Sequence, residues 1–241
     1  SDPYFYVRRQ GDWLIVGGKD HRTGLEQDTQ RRFEELESWT RERFSVQSID
    51  ARWSGQVMEP VDGLPYIGPA SGKGRFLFST GYSGNGLTWG TVAAMILSDH
   101  VLGRENGWSS VYDTRRFKPL ASAMDFAREN AGTAYCLVRG RLSPAEASSP
   151  SEIAPGQGRI LSWEGKKLAA FRDDDGKLHA VSSVCTHTGC QVAFNSAEKS
   201  WDCPCHGSRF GTDGAVMHGP AREPLAEVRV ETAKRKRRRA A

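Results

Sequence analysis

"CTHTGC" spans residues 185–190 and "CPCHGS" spans residues 203–208, and together they hold four of the five cysteines and two of the six histidines. Such a concentration of soft ligands indicates a metal or redox site. Four kinds of site compete: a zinc site, a disulfide staple, a thiol enzyme and an iron–sulfur cluster. The spacing within each stretch helps to distinguish them.

Each stretch offers one thiolate and one imidazole. Cys185 and His187 form CxH, and Cys203 and His206 form CxxH, with fifteen residues between the two pairs. The common zinc finger instead groups its cysteines in one pair and its histidines in the other. A two-iron cluster in which histidines replace cysteines on one iron needs two ligands of each kind. The pattern therefore favours an iron–sulfur cluster over zinc.

The sequence around these stretches predicts a small antiparallel β domain. Short apolar runs follow one another across tight turns, namely "RILSWE" (159–164), "KLAAFR" (167–172) and "LHAVSS" (178–183). Before them lies a segment rich in Ser, Pro, Ala and Gly (143–158). Such composition is typical of a loop, so we expect a domain boundary a little before it.

The first half of the chain alternates strand and helix patterns. A hairpin is expected over residues 4–18, and Thr23 and Glu26 stand in capping-box spacing before an amphipathic run that ends near Phe44. Residues 76–90, "FLFSTGYSGNGLTWG", read as strand, glycine turn and helix. That arrangement directs backbone N–H groups and a positive helix end at an anion or an electron-rich ring.

"CTHTGC", "CPCHGSRF" and the later "GPA" together resemble the Rieske [2Fe-2S] domain over residues 134–232. The resemblance implies that Cys185 and Cys203 bind one iron, and that His187 and His206 bind the other. It also implies a disulfide that joins the two ligand loops through Cys190 and Cys205.

The same resemblance assigns roles around the cluster. Ser208 matches the position of a hydroxyl that donates to a cluster sulfur, which favours the reduced cluster and raises its potential. High-potential respiratory members carry a tyrosine where this chain has Phe210. The stretch from Gly219 through Pro220 to Ala221 resembles the loop that covers the cluster.

Residues 1–118 are similar to the C-terminal third of the FAD-dependent D-amino-acid oxidase superfamily, in the branch with glycine and sarcosine oxidases. The resemblance implies that the glycine turn lies beside the flavin ring, with its contacts made by Gly84, Asn85, Gly86, Leu87 and Thr88. Backbone donors there would stabilise the negative charge of a reduced flavin. The N-terminal dinucleotide fingerprint of that family is not in this chain. We therefore expect the C-terminal part of a longer flavoprotein, with an incomplete FAD site.

These patterns predict an α+β protein in which a mixed α/β, partial flavoprotein region precedes a small all-β Rieske domain. The expected divisions are the flavoprotein region, a helical linker, the Rieske domain and a basic disordered tail, at residues 1–118, 119–133, 134–232 and 233–241. The expected cofactors are a [2Fe-2S] cluster and FAD.

Charge and hydropathy restrict the partners. The formal net charge is +4, but six cations lie within residues 234–239, and without them it falls to −2. The body is thus nearly neutral, so we infer no nucleic-acid function. No apolar run is long enough for a transmembrane segment, and no signal peptide opens the chain. We expect a cytoplasmic protein.

The leading hypothesis is an oxidoreductase. A flavin would take two electrons from a small, amine-like substrate, and the cluster would pass them singly to a redox acceptor. The alternative is a ferredoxin-like Rieske carrier with a structural N-terminal region. A Rieske oxygenase is disfavoured because no two-His-one-carboxylate set remains, and a quinol-oxidising membrane subunit because no anchor helix is found.

Overall fold

The computed structural model describes residues 4–70, 75–116 and 119–230. The described residues of Ser1–Trp53 and Gly132–Ala241 form one compact unit, and those of Ser54–Ala131 form a second. The first unit therefore joins the beginning of the chain to the cysteine–histidine stretches. The basic tail expected at 233–241 lies outside the described residues.

The first unit opens with a β-hairpin that packs on a helix. Strand β1 (Phe5–Gln10) pairs antiparallel with β2 (Trp13–Gly18), as the alternating pattern predicts. Helix α1 (Thr29–Arg43) follows. The rings of Phe5 and Trp39 stack with their centroids 4.2 Å apart, which fixes the helix against the hairpin.

Helix α1 starts later than its predicted capping box. The N-cap is Asp28, whose carboxylate accepts a hydrogen bond from the Arg31 N–H at 3.0 Å. A start at Thr23 is wrong because the next residue, Gly24, has a left-handed backbone with φ of +73°, which no α-helix accommodates. Glu26 binds the Arg32 guanidinium instead, at 2.6 Å.

The second unit contains a two-stranded sheet and two helices wholly within it. The antiparallel strands are β3 (Tyr66–Pro69) and β4 (Leu77–Thr80), and the helices are α2 (Gly86–Val101) and α3 (Ser109–Tyr112). Its buried apolar centre consists of Ile67, Ala93 and Ile96. The predicted order of strand, glycine turn and helix over residues 76–90 is thus present in β4 and α2.

Helix α4 (Pro119–Leu142) leads into the β domain. It covers the helical linker expected at 119–133 and continues past it. The ammonium of Lys167 donates to the Gly140 and Arg141 carbonyls, both at 2.9 Å. These contacts satisfy carbonyl groups that the end of a helix leaves without intrahelical partners.

Two antiparallel sheets form the rest of the first unit, after a short 3₁₀ helix (Pro150–Glu152). The three-stranded sheet has the order β5–β6–β7, with strands Gly158–Trp163, Lys166–Arg172 and Leu178–Ser182. The four-stranded sheet has the order β11–β10–β9–β8, and its strands β8 to β11 are Ala193–Asn195, Ser200–Asp202, Arg209–Gly211 and Val216–His218. The predicted fold class, a mixed α/β region followed by a small antiparallel β domain, is confirmed.

The core of the β domain lies directly beneath the cysteine–histidine stretches. Trp201 and Phe210 are fully buried, and they share one apolar cluster with Cys185, Cys190 and Cys203. The cysteines are therefore set in a close-packed interior. Within the part of the chain that the structure describes, no helix combines the length and the apolar character needed to cross a membrane.

One ion pair in the second unit is almost completely buried. The Arg116 guanidinium lies 2.7 Å from the Asp62 carboxylate, with 4% and 7% of the two side chains exposed. Arg116 also donates to the Pro65 carbonyl at 2.8 Å and lies 3.8 Å from the centre of the Tyr66 ring. The Arg116 side chain therefore binds two residues of the segment before β3, Asp62 and Pro65.

We expect Arg116→Ala to lower the free energy of unfolding of the second unit by about 3–5 kcal/mol, because it removes the ion-pair partner of a buried carboxylate. The neighbouring Arg115, whose side chain is 69% exposed and pairs with Asp113, is the matched control. Arg115→Ala should cause no measurable loss. Urea unfolding followed by tryptophan fluorescence measures both, and equal midpoints for the two variants would contradict the assignment.

Candidate metal centre

The first cysteine–histidine loop is closed by two backbone hydrogen bonds. The Cys185 N–H donates to the Cys190 carbonyl at 2.8 Å, and the Gly189 N–H donates to the Cys185 carbonyl at 3.0 Å. Gly189 has φ of +80°, a conformation that glycine adopts without steric cost. The loop therefore returns on itself around the Cys185 side chain.

The second loop repeats this construction. The Cys203 N–H donates to the Ser208 carbonyl at 2.8 Å, and the Gly207 N–H donates to the Cys203 carbonyl at 3.0 Å. Gly207 has φ of +75°. The leading cysteine of each loop thus has the same backbone setting, although the histidine follows two residues later in one loop and three later in the other.

The two leading cysteines are buried next to each other. Cys185 is 2% exposed and Cys203 is 1% exposed, and neither is in a disulfide. A hydrogen bond from the Cys203 thiol lowers the pKa of Cys185 to about 5. The pKa of Cys203 is raised, because it donates that proton to Cys185 and is itself buried. The pair therefore readily gives up one proton, and a cation bound between the sulfurs would compensate the charge.

The two histidines form the exposed side of the same site. The rings of His187 and His206 lie with their centroids 4.8 Å apart and their planes at 85°, and both residues are exposed. The pKa of His206 is lowered by partial burial and by the neighbouring His187. A lowered pKa favours the neutral imidazole, which is the form that binds metals.

A disulfide between Cys190 and Cys205 joins the two loops, with their Cα atoms 6.4 Å apart. It closes a segment with a sequence separation of 15 residues, for which chain-entropy arguments give about 3 kcal/mol of stabilisation. The sulfurs of Cys190, Cys203 and Cys205 lie within 4.8 Å of one another. Cys190 and Cys205 are joined in the disulfide, so these three cysteines do not form a second set of thiolate ligands.

Ser208 links the second loop to the segment beyond β11. Its fully buried hydroxyl oxygen accepts a hydrogen bond from the Ala221 N–H at 3.0 Å. The hydroxyl also hydrogen-bonds to Cys185, which contributes to the lowered pKa of that thiol. The Ser208 hydroxyl is therefore placed to donate to a sulfur atom of the site. Phe210 is fully buried and has no hydroxyl to add a second.

The residues present fit a histidine-containing [2Fe-2S] cluster. Two thiols lie side by side in the interior, and two imidazoles lie side by side at the surface. Such a cluster takes two thiolates on one iron and two imidazoles on the other. The disulfide and the paired loop hydrogen bonds keep both pairs in place.

The residues assigned to a flavin lie at the start of α2. All five of them are exposed, and Leu87 is 86% exposed. Gly84 has φ of +80°, and the helix begins at Gly86 with Asn85 as its N-cap. The first N–H groups of a helix have no intrahelical acceptor, and the helix dipole is positive there. These residues therefore fit the electron-rich edge of a ring.

Three further residues carry thiol or imidazole side chains outside the two loops. The remaining cysteine, Cys136, is half-buried on α4, and His218 is exposed on β11. His179 pairs with the Asp173 carboxylate at 2.8 Å.

Sequence reasoning missed a polar network directly before Cys203. The Asp202 carboxylate accepts hydrogen bonds from Asn195 at 2.9 Å, Ser200 at 2.8 Å and Arg209 at 3.0 Å. Although burial opposes a charge on Arg209, the carboxylates of Asp202 and Glu198 outweigh it and raise its pKa. The only sequence signal was the set of polar residues in short strands that are otherwise apolar.

Both regions of the chain match known families. Residues 143–229 match the Rieske [2Fe-2S] domain, and residues 1–100 match the FAD dependent oxidoreductase family. The iron-sulfur protein YhfW of Bacillus subtilis, named as a Rieske 2Fe-2S protein, is 36% identical over 225 residues. That match covers 92% of this chain and 44% of YhfW.

Two further matches cover the Rieske region. The cytochrome b6-f complex iron-sulfur subunit of Chlorobaculum tepidum is 34% identical over 41% of this chain and 59% of its own length. The solved plasma membrane Rieske protein PetC3 of Synechocystis is 32% identical, with a TM-score of 0.28, over 29% of this chain and 72% of its own. The chain thus spans about half the length of the two curated relatives.

Ser208→Ala should lower the midpoint potential of the bound cluster, because it removes a donor that stabilises the more negative, reduced state. We expect a fall of about 60 mV, which is about 1.4 kcal/mol for one electron and the scale of one charge-assisted hydrogen bond. The control is Ser183→Ala, since the buried Ser183 hydroxyl donates to the Lys167 carbonyl at 2.9 Å. Protein-film voltammetry gives both potentials, and an unchanged potential in Ser208→Ala would refute the role.

Proposed function

Because this chain joins a region of the FAD-dependent oxidoreductase family to a Rieske [2Fe-2S] domain, we propose that it is an electron-transfer oxidoreductase whose cluster passes electrons from a flavin to an acceptor. The family matches support the oxidoreductase class and imply both cofactors. The relay between the cofactors is our proposal. The observation that carries the cluster assignment is the pairing of two buried thiols with two exposed imidazoles on equivalent loops.

In this proposal Cys185 and Cys203 hold one iron, and His187 and His206 hold the other. When bound, such a cluster supplies a one-electron redox centre. The cysteines lie on the buried side, so the protein interior excludes water from the sulfur ligands. The imidazoles lie on the exposed side. A redox acceptor would therefore approach the histidines.

In the same proposal the turn at Gly84–Thr88 contacts the flavin. FAD, when bound, supplies two-electron oxidation of a small-molecule substrate. The N–H groups at the start of α2 would stabilise negative charge on the ring edge that they face. An amine-like substrate and a cytoplasmic location stay predictions.

A plain Rieske electron carrier is the second candidate. It is favoured by one observation: the described residues of Ser1–Trp53 form a single compact unit with the β domain. That part of the chain would then support the cluster and carry no chemistry. Bound flavin in the product of the complete open reading frame distinguishes the two candidates.

The purified chain should contain two irons and two acid-labile sulfides. His206→Ala should remove or alter the absorption and EPR signature of the cluster, since an imidazole ligand is lost, while the exposed His218 gives the control variant His218→Ala. Iron, zinc and sulfide analysis together with EPR spectroscopy checks this. One zinc per chain without sulfide would contradict the assignment.

The relay should appear as coupled reduction in the product of the complete open reading frame. When an amine-like substrate reduces the flavin, we expect cluster reduction to follow within the same protein, at a rate independent of protein concentration. Stopped-flow absorbance separates the two signals, with His206→Ala, which lacks one proposed imidazole ligand, as the control. A cluster that stays oxidised beside a reduced flavin would refute the relay and favour two independent modules.

A further inference from the structure

A tight turn near the start of the chain packs against the backbone of the second ligand loop. The Leu25 N–H donates to the Arg22 carbonyl at 3.2 Å, and Gly24 takes the third position of this turn with φ of +73°. A positive φ at that position is typical of a type II turn. The turn lies within the region matched to the FAD dependent oxidoreductase family.

Gly24 lies so close to the ligand loop that a side chain has no room. A Cβ built on Gly24 would lie 2.6 Å from the Pro204 nitrogen, 2.8 Å from the Cys203 carbonyl carbon and 2.9 Å from the Asp202 oxygen. All three atoms are backbone atoms, so they cannot move aside by a side-chain rotation. The turn therefore packs directly on the peptide bond that follows Cys203.

Four residues after this turn ends, helix α1 makes a second contact, with the β8–β9 hairpin, whose second strand leads into the ligand loop. The Thr29 hydroxyl, in a residue only 4% exposed, donates to the Asn195 amide oxygen at 2.8 Å and accepts from the Ala197 N–H at 3.2 Å. Asn195 in turn donates to the Asp202 carboxylate at 2.9 Å. A continuous chain of buried hydrogen bonds thus runs from α1 to the residue before Cys203.

The two contacts converge on Asp202, Cys203 and Pro204. Beyond them, the N–H groups of Cys205 and His206 hydrogen-bond to the Cys203 sulfur. The direction of these N–H groups depends on the backbone path through Pro204. A shift of that path would weaken donors that stabilise negative charge on a cluster ligand.

We propose that the segment Arg22–Thr29 is a positioning element for the second ligand loop, and that it helps to set the reduction potential of the cluster. The inference rests on the assignment of Cys203 as a ligand, and it does not depend on the flavin relay. The segment acts through backbone packing at Gly24 and through the Thr29 hydroxyl. It touches none of the four proposed ligand side chains in these contacts.

Gly24→Ala tests the packing contact. The added methyl group should displace the loop backbone, lower the midpoint potential and change the EPR g-values, while iron and sulfide stay at wild-type stoichiometry. Gly11→Ala is the matched control, because Gly11 also has a left-handed backbone, with φ of +59°, but no atom within 4 Å of a built Cβ. It carries the same backbone strain without the collision.

Thr29→Val tests the hydrogen-bond contact and remains informative if Gly24→Ala does not fold. Valine keeps the shape of the side chain but removes the hydroxyl, so we expect the same direction of shift in potential. Thr40→Val is its control, since the Thr40 hydroxyl is also buried on α1 but donates to the Leu36 carbonyl of its own helix at 2.7 Å. That control should leave the potential unchanged.

Protein-film voltammetry, EPR spectroscopy and iron analysis of the four variants test the proposed role of the segment Arg22–Thr29. Shifts in Gly24→Ala and Thr29→Val that exceed those in the controls support the inference. An intact cluster with wild-type potential and g-values in both test variants overturns it and leaves the ligand assignment standing. A wild-type chain that holds neither iron nor sulfide overturns both.

Discussion

Two buried thiols that lie side by side, those of Cys185 and Cys203, impose the main constraint on this structure. Ionised thiols at close range repel, and burial opposes their charge. The hydrogen bond between the two thiols accordingly lowers the pKa of Cys185 and raises the pKa of Cys203. A site of this kind needs loops that cannot separate when the charge changes. The repeated backbone hydrogen bonds, the Cys190–Cys205 disulfide and the packed core each contribute to that rigidity.

The surroundings of the site divide into a buried half and an exposed half. Beneath the cysteines, Trp201 and Phe210 close the interior. Next to Cys203, Asp202 and Arg209 form a charged pair that is satisfied on several sides by neighbouring hydroxyl and amide groups. Buried charges are tolerated when they are paired in this way. The histidines alone among the proposed ligands are exposed.

Local chemistry explains what the sequence could predict. The spacing of Cys185, His187, Cys203 and His206 restricts the metal chemistry within a few residues, and the short alternating strands predict the β domain. The glycine turn before α2 was also predictable, since it is a local change from strand to helix. The cysteine–histidine pair in each loop and the antiparallel arrangement of the strands can be predicted from patterns that extend over only a few residues.

The contacts that the sequence did not reveal are between distant residues. Thr23 and Glu26 have capping-box spacing, but Gly24 adopts a left-handed backbone in the turn that packs against Pro204. The helix therefore begins after Asp28. The partnership of Thr29 with Asn195 spans 166 positions, and no periodicity in the chain indicates it. Packing between distant segments decided these features.

The contact between the turn at Gly24 and the ligand loop also limits which other proteins could be fused to this β domain without loss of packing. A domain that is matched to one family receives hydrogen bonds and backbone packing from a segment matched to another. A Rieske domain transferred by gene fusion to a different host would leave the Ala197 N–H and the Asn195 amide without Thr29. A fusion would keep both contacts only if the new neighbouring domain supplied a similar glycine turn and a helical hydroxyl at the same place.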